Sequence, residues 1–387
     1  MPSRSSTMNP PEHNRSAVPG RRGLTARGRV MLALIVSATV VLTSPFVADL
    51  RDSLRRLTGA RYGLTINLLV VGAVVLACAA ALARIREHRL LRYGAIAAAL
   101  AAGIAYIWVN ALPAVERFHF VEYGIVTMLF YRAVVPRESA AAAVSDVSIF
   151  LVPVFAALIV GTADEWVQWF VPRRYGEVRD ILLNGAAIAC GLLFSLGVDP
   201  PGAFRLRPSD RSLALVSRLA AATVLALGAF LLAVHLGYTI DDGEVGRFRS
   251  RHTAEALAAA SRDRLQRWTE GALPPAPTLS REDQYLTEGL WHVQARNEAW
   301  TSDVDTAWNE NLILEKYFAP VLRAGQAWPA AQRADAAARH RADSGRRFES
   351  RAARYPILPW NKPLFAALVA GLAACLLAPN FTSGRKC

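Results

Sequence analysis

The chain has 387 residues, of which 53% are hydrophobic and only 19% charged, and it carries a formal net charge of +13. That apolar content, with a positive mean hydropathy of +0.23, is too high for a soluble domain of this length and too regularly patterned for disorder, so the lipid bilayer is the expected solvent. The excess of Arg falls mostly between apolar runs, where anionic headgroups attract it, and nucleic acid is discounted as a partner.

The first 28 residues are polar and rich in Pro, Ser and Arg, and read as a disordered cytoplasmic tail rather than a signal peptide. Apolar stretches long enough to cross the hydrocarbon core as helices follow at about 30 to 48, 65 to 83, 93 to 112, 119 to 136, 147 to 171, 181 to 198 and 213 to 236. A last candidate at about 356 to 378 is apolar throughout only from Leu364 to Ala378, and a short tail, 379 to 387, closes the chain. Between the seventh stretch and the last, residues 237 to 355 are hydrophilic with apolar residues at helical spacing: Leu257, Leu265 and Trp268; Leu286, Leu290 and Val293; Val304, Trp308 and Leu312. This segment reads as a small helical domain, broken by the Gly-Ala-Leu-Pro-Pro-Ala-Pro run from Gly271. The expected fold class is therefore all-α: a polytopic transmembrane helical bundle of about eight spans with a small helical extracytoplasmic domain.

Orientation follows from the basic residues of the short loops. With the amino terminus inside, seventeen Lys and Arg fall on the cytoplasmic side, among them Arg29, Arg84, Arg92, Arg132 and Arg205, against eight outside: Arg51, Arg55, Arg56, Arg61, Arg117, Arg173, Arg174 and Arg179. The count favours a cytoplasmic amino terminus and places residues 237 to 355 outside, although the first external loop is itself basic.

Cys78, Cys190 and Cys375 lie inside apolar stretches and Cys387 is terminal, so no disulfide framework is expected. No CxxC, HExxH, Walker-type loop, GxSxG or dinucleotide fingerprint occurs. The candidate chemistry lies in two polar blocks. The first, Glu116-Arg117-Phe118-His119-Phe120-Val121-Glu122-Tyr123, enters the fourth span; the second holds Asp164, Glu165 and Gln168, then Pro172, Arg173 and Arg174, then Asp180 and Asn184, leaving the fifth span and entering the sixth. On helices, offsets of three and four put His119, Glu122 and Tyr123 on one face, and likewise Glu165 with Gln168 and Asp180 with Asn184. A carboxylate deep in a span costs roughly 2.5–3.5 kcal/mol on insertion scales, so Glu122, Asp164 and Glu165 are expected to be paired or hydrated inside the bundle. Either Arg117, Arg174 and Arg179 neutralise them as glue between helices, or the set is a site for a polar group at the outer leaflet.

These blocks resemble the VanZ-like family, whose members have a short first span, a second helix opening with a charged pair, a His and a Tyr, a third ending in Glu-x-x-Gln, a Pro-x-Arg turn, and a fourth with Asp-x-x-x-Asn. The resemblance covers about residues 93 to 198 and falls on Glu116, Arg117, His119, Tyr123, Glu165, Gln168, Pro172, Arg174, Asp180 and Asn184, with Glu122 shared by part of the family. Arg173 and Ala187 stand where the family often has Gly. On this resemblance 93 to 198 form a four-helix membrane core, to which the two helices within 29 to 92, the helix at 213 to 236 and everything beyond are additions. The family name comes from a protein associated with resistance to the glycopeptide teicoplanin, which implies a role in the cell envelope without naming a reaction.

As an enzyme on a lipid-linked or cell-envelope substrate, the site would use His119, Glu165 and Asp180 as acid and base. Glu116, Arg117, Glu122, Tyr123, Asp164, Gln168, Arg173, Arg174 and Asn184 would bind the substrate, the arginines by clamping a phosphate or carboxylate. His119, Glu165 and Asp180 are also candidate ligands for a divalent cation such as Mg or Mn. The alternatives are a non-catalytic binder or transporter of an anionic envelope component, and a structural membrane scaffold. The topology is testable first: a cysteine introduced at Ala276 should react with a membrane-impermeant thiol reagent in intact cells, and labelling only after lysis would reverse the orientation.

Overall fold

The computed structural model describes residues 24–135, 145–171, 176–202, 204–274, 282–340 and 347–383. Most of the expected amino-terminal tail, the Pro172-Arg173-Arg174 turn, much of the Pro-rich break from Gly271 including Ala276, and residues 384–387 lie outside the described residues. The fold is predominantly helical. Its first half contains α1 (Ala26–Thr43), α2 (Val47–Thr58), α3 (Tyr62–Arg84), α4 (Arg89–Val109), α5 (Phe118–Val134), α6 (Ser148–Phe170), α7 (Val178–Val198) and α8 (Asp210–Phe230), the last continued by a π turn, Leu231–His235. Among the described residues, five helical stretches are long and apolar enough to cross a membrane: Ala26–Arg84, Arg89–Val109, Ser148–Phe170, Val178–Val198 and Asp210–His235. They mark the chain as a membrane protein.

The central helix is α7, which packs on α4, α5 and α6, while α1 covers α5 and α6. Small residues set these distances, since apolar side chains gain nothing by leaving lipid for one another and close backbone packing supplies the attraction. A Cβ built on Gly191 would lie 2.8 Å from the Gly124 Cα and 3.3 Å from the Thr127 Cβ, so α5 and α7 touch at the backbone. At the end of the bundle away from the polar blocks, arginines cap helix carbonyls that would otherwise be orphaned. Arg92 donates to the Gly197 and Val198 carbonyls of α7, and Arg29 to those of Arg132 and Val135 at the end of α5. The short parallel pair β1 (Ser145–Asp146) and β2 (Phe204–Arg205) closes the same end. There Asp146 accepts from the Ser148 and Ser209 amides and fixes the starts of α6 and α8.

The segment after α8 is mostly helical, but it opens with an antiparallel hairpin, β3 (Leu236–Asp242) and β4 (Gly246–Ser250). The hairpin adds two short strands to a segment whose helical reading otherwise holds. The alternation was present in Gly246-Arg247-Phe248-Arg249-Ser250, whose side chains run buried, exposed, buried, exposed, buried. Then come α9 (Ala254–Arg267), α10 (Glu282–Ala299), α11 (Val304–Tyr317), the single turn α12 (Ala319–Val321) and α13 (Ala330–Arg339). Strand β5 (Leu358–Pro359) pairs parallel with β3, and α14 (Lys362–Ser383), which starts and ends later than the expected last span, returns along α8. Phe248, Leu257, Tyr285, Ile313, Leu314 and Phe318 form the core of this segment, with Trp268 and Leu290 partly buried at its edge. Trp308 is partly buried in a separate cluster with Ala307, Trp328 and Ala336.

A second core joins the segment to the bundle: Trp169 of α6, Ile181 of α7, and Phe230 and Val234 at the end of α8 pack with Trp291, Tyr355 and Ile357. The two parts therefore share buried apolar surface at the end where the polar blocks sit. Two glycines in one helix give a paired test of the packing. Gly191→Val should lower stability by about 1–3 kcal/mol through overpacking against α5, whereas Gly185→Ala, with no atom within 4 Å of the added Cβ, should leave the thermal midpoint unchanged or slightly raised. Thermal unfolding in detergent reads both.

Candidate functional site

Three helix ends meet here: the start of α5, the end of α6 and the start of α7. On α6, helical geometry turns Asp164, Glu165 and Gln168 to one side, and all three are buried, Glu165 completely. The Gln168 Nε2 amide donates to Asp164 Oδ2 at 3.0 Å and to Glu165 Oε1 at 3.2 Å, so one amide group bridges two adjacent carboxylates. Asp164 Oδ2 also accepts from the Tyr123 hydroxyl at 3.1 Å, which brings in α5. His119, one turn earlier on α5, stacks on Tyr123 with ring centroids 5.9 Å apart and planes within 5°.

The start of α7 is held by two acceptors from other elements. Glu165 Oε2 accepts the Glu177 amide at 3.1 Å, and His235 Nε2 accepts the Val178 amide at 2.9 Å. These are amides at a helix start, which have no carbonyl within their own helix. The opposite nitrogen of His235, Nδ1, donates to the Pro356 carbonyl at 2.8 Å, which fixes the tautomer with the proton on Nδ1. Glycine is required at position 176, where a Cβ would sit 2.3 Å from the Glu165 carbonyl oxygen. The chain thus returns against α6 closely enough for the Glu165 carboxylate to reach the next amide.

Around this buried network lies a more exposed acidic rim. Arg179 donates to Glu116 Oε2 at 3.0 Å, an ion pair whose Arg is about half exposed and which adds little stability. Burial pushes the Glu177 carboxyl up to about 7, with Asp180 and Glu116 adding to the shift and Arg179 opposing it. Burial likewise raises Glu116, against the pull of Arg179.

The sequence-predicted residues do not all share this network. Tyr123, Asp164, Glu165 and Gln168 are directly linked; Glu116 and Asp180 belong to the rim with Glu177; Glu122 is half-buried on α5. Asn184 is fully buried against Gly161, where an added Cβ would meet the Asn184 amide nitrogen at 3.1 Å and the Tyr123 ring at 3.3 Å. Neither its amide nitrogen nor its oxygen has a partner among the described residues. Arg117 turns away from the carboxylates: it donates to Asn67 Oδ1 at 2.8 Å and to the Leu112 carbonyl, tying α3 to the α4–α5 loop. Arg173 and Arg174 lie outside the described residues. Among the described residues no group of three His, Cys, Asp or Glu side chains is arranged to hold a metal ion, so His119, Glu165 and Asp180 do not form one. His235 and Glu177 were missed by sequence reasoning; a His ending an apolar span was the available signal for the first.

The family model described as VanZ/LLP1 matches residues 30–198. The chain carries a VanZ-like domain. No curated protein and no solved structure matches the chain. The match begins at residue 30, so it takes in α1 and α3 as well as the stretch from 93. Packing gives the reason, because α1 lies directly on α5 and α6, the helices that carry the polar blocks. His235 and the Pro356 carbonyl lie beyond the matched stretch, yet they complete the start of α7 within it.

The raised Glu177 makes the stability of the VanZ-like domain depend on pH. A carboxyl that rises from its ordinary 4.5 to about 7 on folding favours the protonated folded state. Its contribution is fully present below pH 4.5 and is lost as the pH climbs through about 7. The thermal midpoint in detergent should fall across that window, and Glu177→Gln should flatten the fall. An unchanged slope in the variant would mean that other groups carry the dependence.

Proposed function

We propose that the end of the VanZ-like domain bearing Glu165 is an acid–base site for the polar group of a lipid-linked or cell-envelope substrate. The protein would cross the membrane several times with its amino terminus in the cytoplasm and residues 237 to 355 outside, so that the site opens at the outer interface. In this reading Glu165, His119 and Asp180 exchange protons with the substrate, while Gln168, Asn184, Tyr123 and Asp164 hold its polar atoms. Glu116 and Glu122 would line the approach, and Arg173 and Arg174 would grip a phosphate or carboxylate. The family's association with teicoplanin fits chemistry in the envelope.

One observation carries the reading: two buried carboxylates share a single amide beside Asn184, whose own amide has no partner among the described residues. An unsatisfied buried amide costs roughly 1–3 kcal/mol, and adjacent buried acids are costly as well, which is a poor arrangement for glue and a reasonable one for a site completed by a ligand. Another observation favours a binder without turnover. Both oxygens of Glu165 already accept hydrogen bonds, from Gln168 and from the Glu177 amide, which suits a positioning carboxylate better than a proton donor.

The purified chain in lipid nanodiscs, given a polyprenyl-pyrophosphate lipid, separates these readings. Under the acid–base reading the lipid is hydrolysed, and Glu165→Gln or His119→Ala lowers turnover by about 100-fold or more while the thermal midpoint stays within a few degrees of the parent. Binding without hydrolysis supports the binder reading. Loss of stability in both variants, with neither binding nor turnover in the parent, leaves the structural scaffold.

A further inference from the structure

The basic segment between the first two apolar helices has no role in the site, and its structure is not that of a loop. Residues Val47–Thr58 form α2, twelve residues long, with no buried residue. Phe46, Leu50 and Leu57 are 66%, 68% and 84% exposed and fall on one stripe, at offsets of four and seven. Arg51, Arg55, Arg56 and Arg61 stand beside that stripe, against two acids, Asp49 and Asp52. Asp52 is taken by Arg51 at 3.0 Å, Arg56 donates to Ser53 and Arg55 lies over the Tyr62 ring.

We propose that α2 is an interfacial helix whose leucine stripe enters the acyl boundary and whose arginines bind the phosphates of anionic phospholipids, beside the polar site. A twelve-residue helix is marginal in water on its own, and an exposed stripe of large apolar side chains adds to the difficulty, whereas a bilayer surface relieves both. The position fits: α2 joins two apolar helices, α1 and α3, whose outward faces carry exposed leucines such as Leu34, Leu42, Leu64 and Leu68. The turn before it, Ser44–Phe46, rests on α6, and Asn67 of α3 holds Arg117 at the start of α5, so α2 lies at the end of the bundle that holds the site. Charge selects the occupant. A second copy would bring the same four arginines toward each other, while an anionic leaflet complements them. This inference requires only that the flanking helices are in a membrane, and it stands whether or not the site is catalytic.

The test uses the full chain with its four native cysteines replaced by Ser, carrying a nitroxide at Leu57→Cys or Arg55→Cys and reconstituted in vesicles of phosphatidylcholine with or without phosphatidylglycerol. Collision with oxygen against a water-soluble nickel chelate reports depth. The label at 57 should be shielded from nickel and open to oxygen, and the label at 55 the reverse. Phosphatidylglycerol should increase the shielding at 57, and Arg51→Gln, Arg55→Gln and Arg56→Gln together should abolish that increase. Leu50→Cys repeats the reading at an independent position on the stripe. Water-like exposure at 50 and 57 in anionic vesicles overturns the proposal, as does dipolar broadening between labels, which would mean a second copy on this face. Phosphatidylglycerol dependence that survives in the triple variant overturns the role of the arginines.

Discussion

The start of α7 is the point on which the arrangement of polar groups depends. An α-helix leaves its first amides without partners inside the helix, and in an apolar bundle water is not freely available to satisfy them. Here the Glu177 amide is taken by Glu165 and the Val178 amide by His235. Placing the Glu165 carboxylate against a helix amino terminus also puts a negative group where the peptide dipoles favour one. Because one Glu165 oxygen is committed to α7, the other is left for Gln168, and Gln168 in turn brings Asp164 and Tyr123 into the same set.

This arrangement requires close backbone approach, and glycine supplies it. Gly176 lets the chain press against the α6 carbonyl of Glu165, and Gly161 leaves room for Asn184 beside Tyr123. Larger side chains at either place would separate the helices by more than a hydrogen bond tolerates. The opposite end of the bundle solves the same kind of problem differently, with Arg92 and Arg29 covering the terminal carbonyls of α7 and α5. Arginine suits that end because several donors on one planar group reach neighbouring carbonyls at once.

His235 connects the VanZ-like domain to the hydrophilic segment beyond α8. One ring nitrogen accepts from the start of α7 and the other donates to the Pro356 carbonyl, while Trp291, Tyr355 and Ile357 pack on Trp169 and Ile181. The segment is thus joined to the bundle by a buried core as well as by a hydrogen bond. The start of α7 is therefore held from that segment twice, by the imidazole at Val178 and by the packing on Ile181.

The sequence alone determined the elements whose information is local. Apolar runs of bilayer length marked the helices, and offsets of three and four put Glu165 and Gln168 on one face, because the helical period is a property of neighbouring residues. The VanZ-like pattern was legible for the same reason, in short blocks along the chain. The hairpin at 236 to 250 was within reach too, since strict alternation around Phe248 is a period of two, but helical spacing on both sides obscured it. Only the tertiary structure decided the partners. Arg117 could be counted as a neutraliser of carboxylates until Asn67, fifty positions away, was found to hold it. His235 meets Val178 across 57 residues and Pro356 across 121, and no local pattern encodes a hydrogen bond between groups that the chain brings together only by packing its helices.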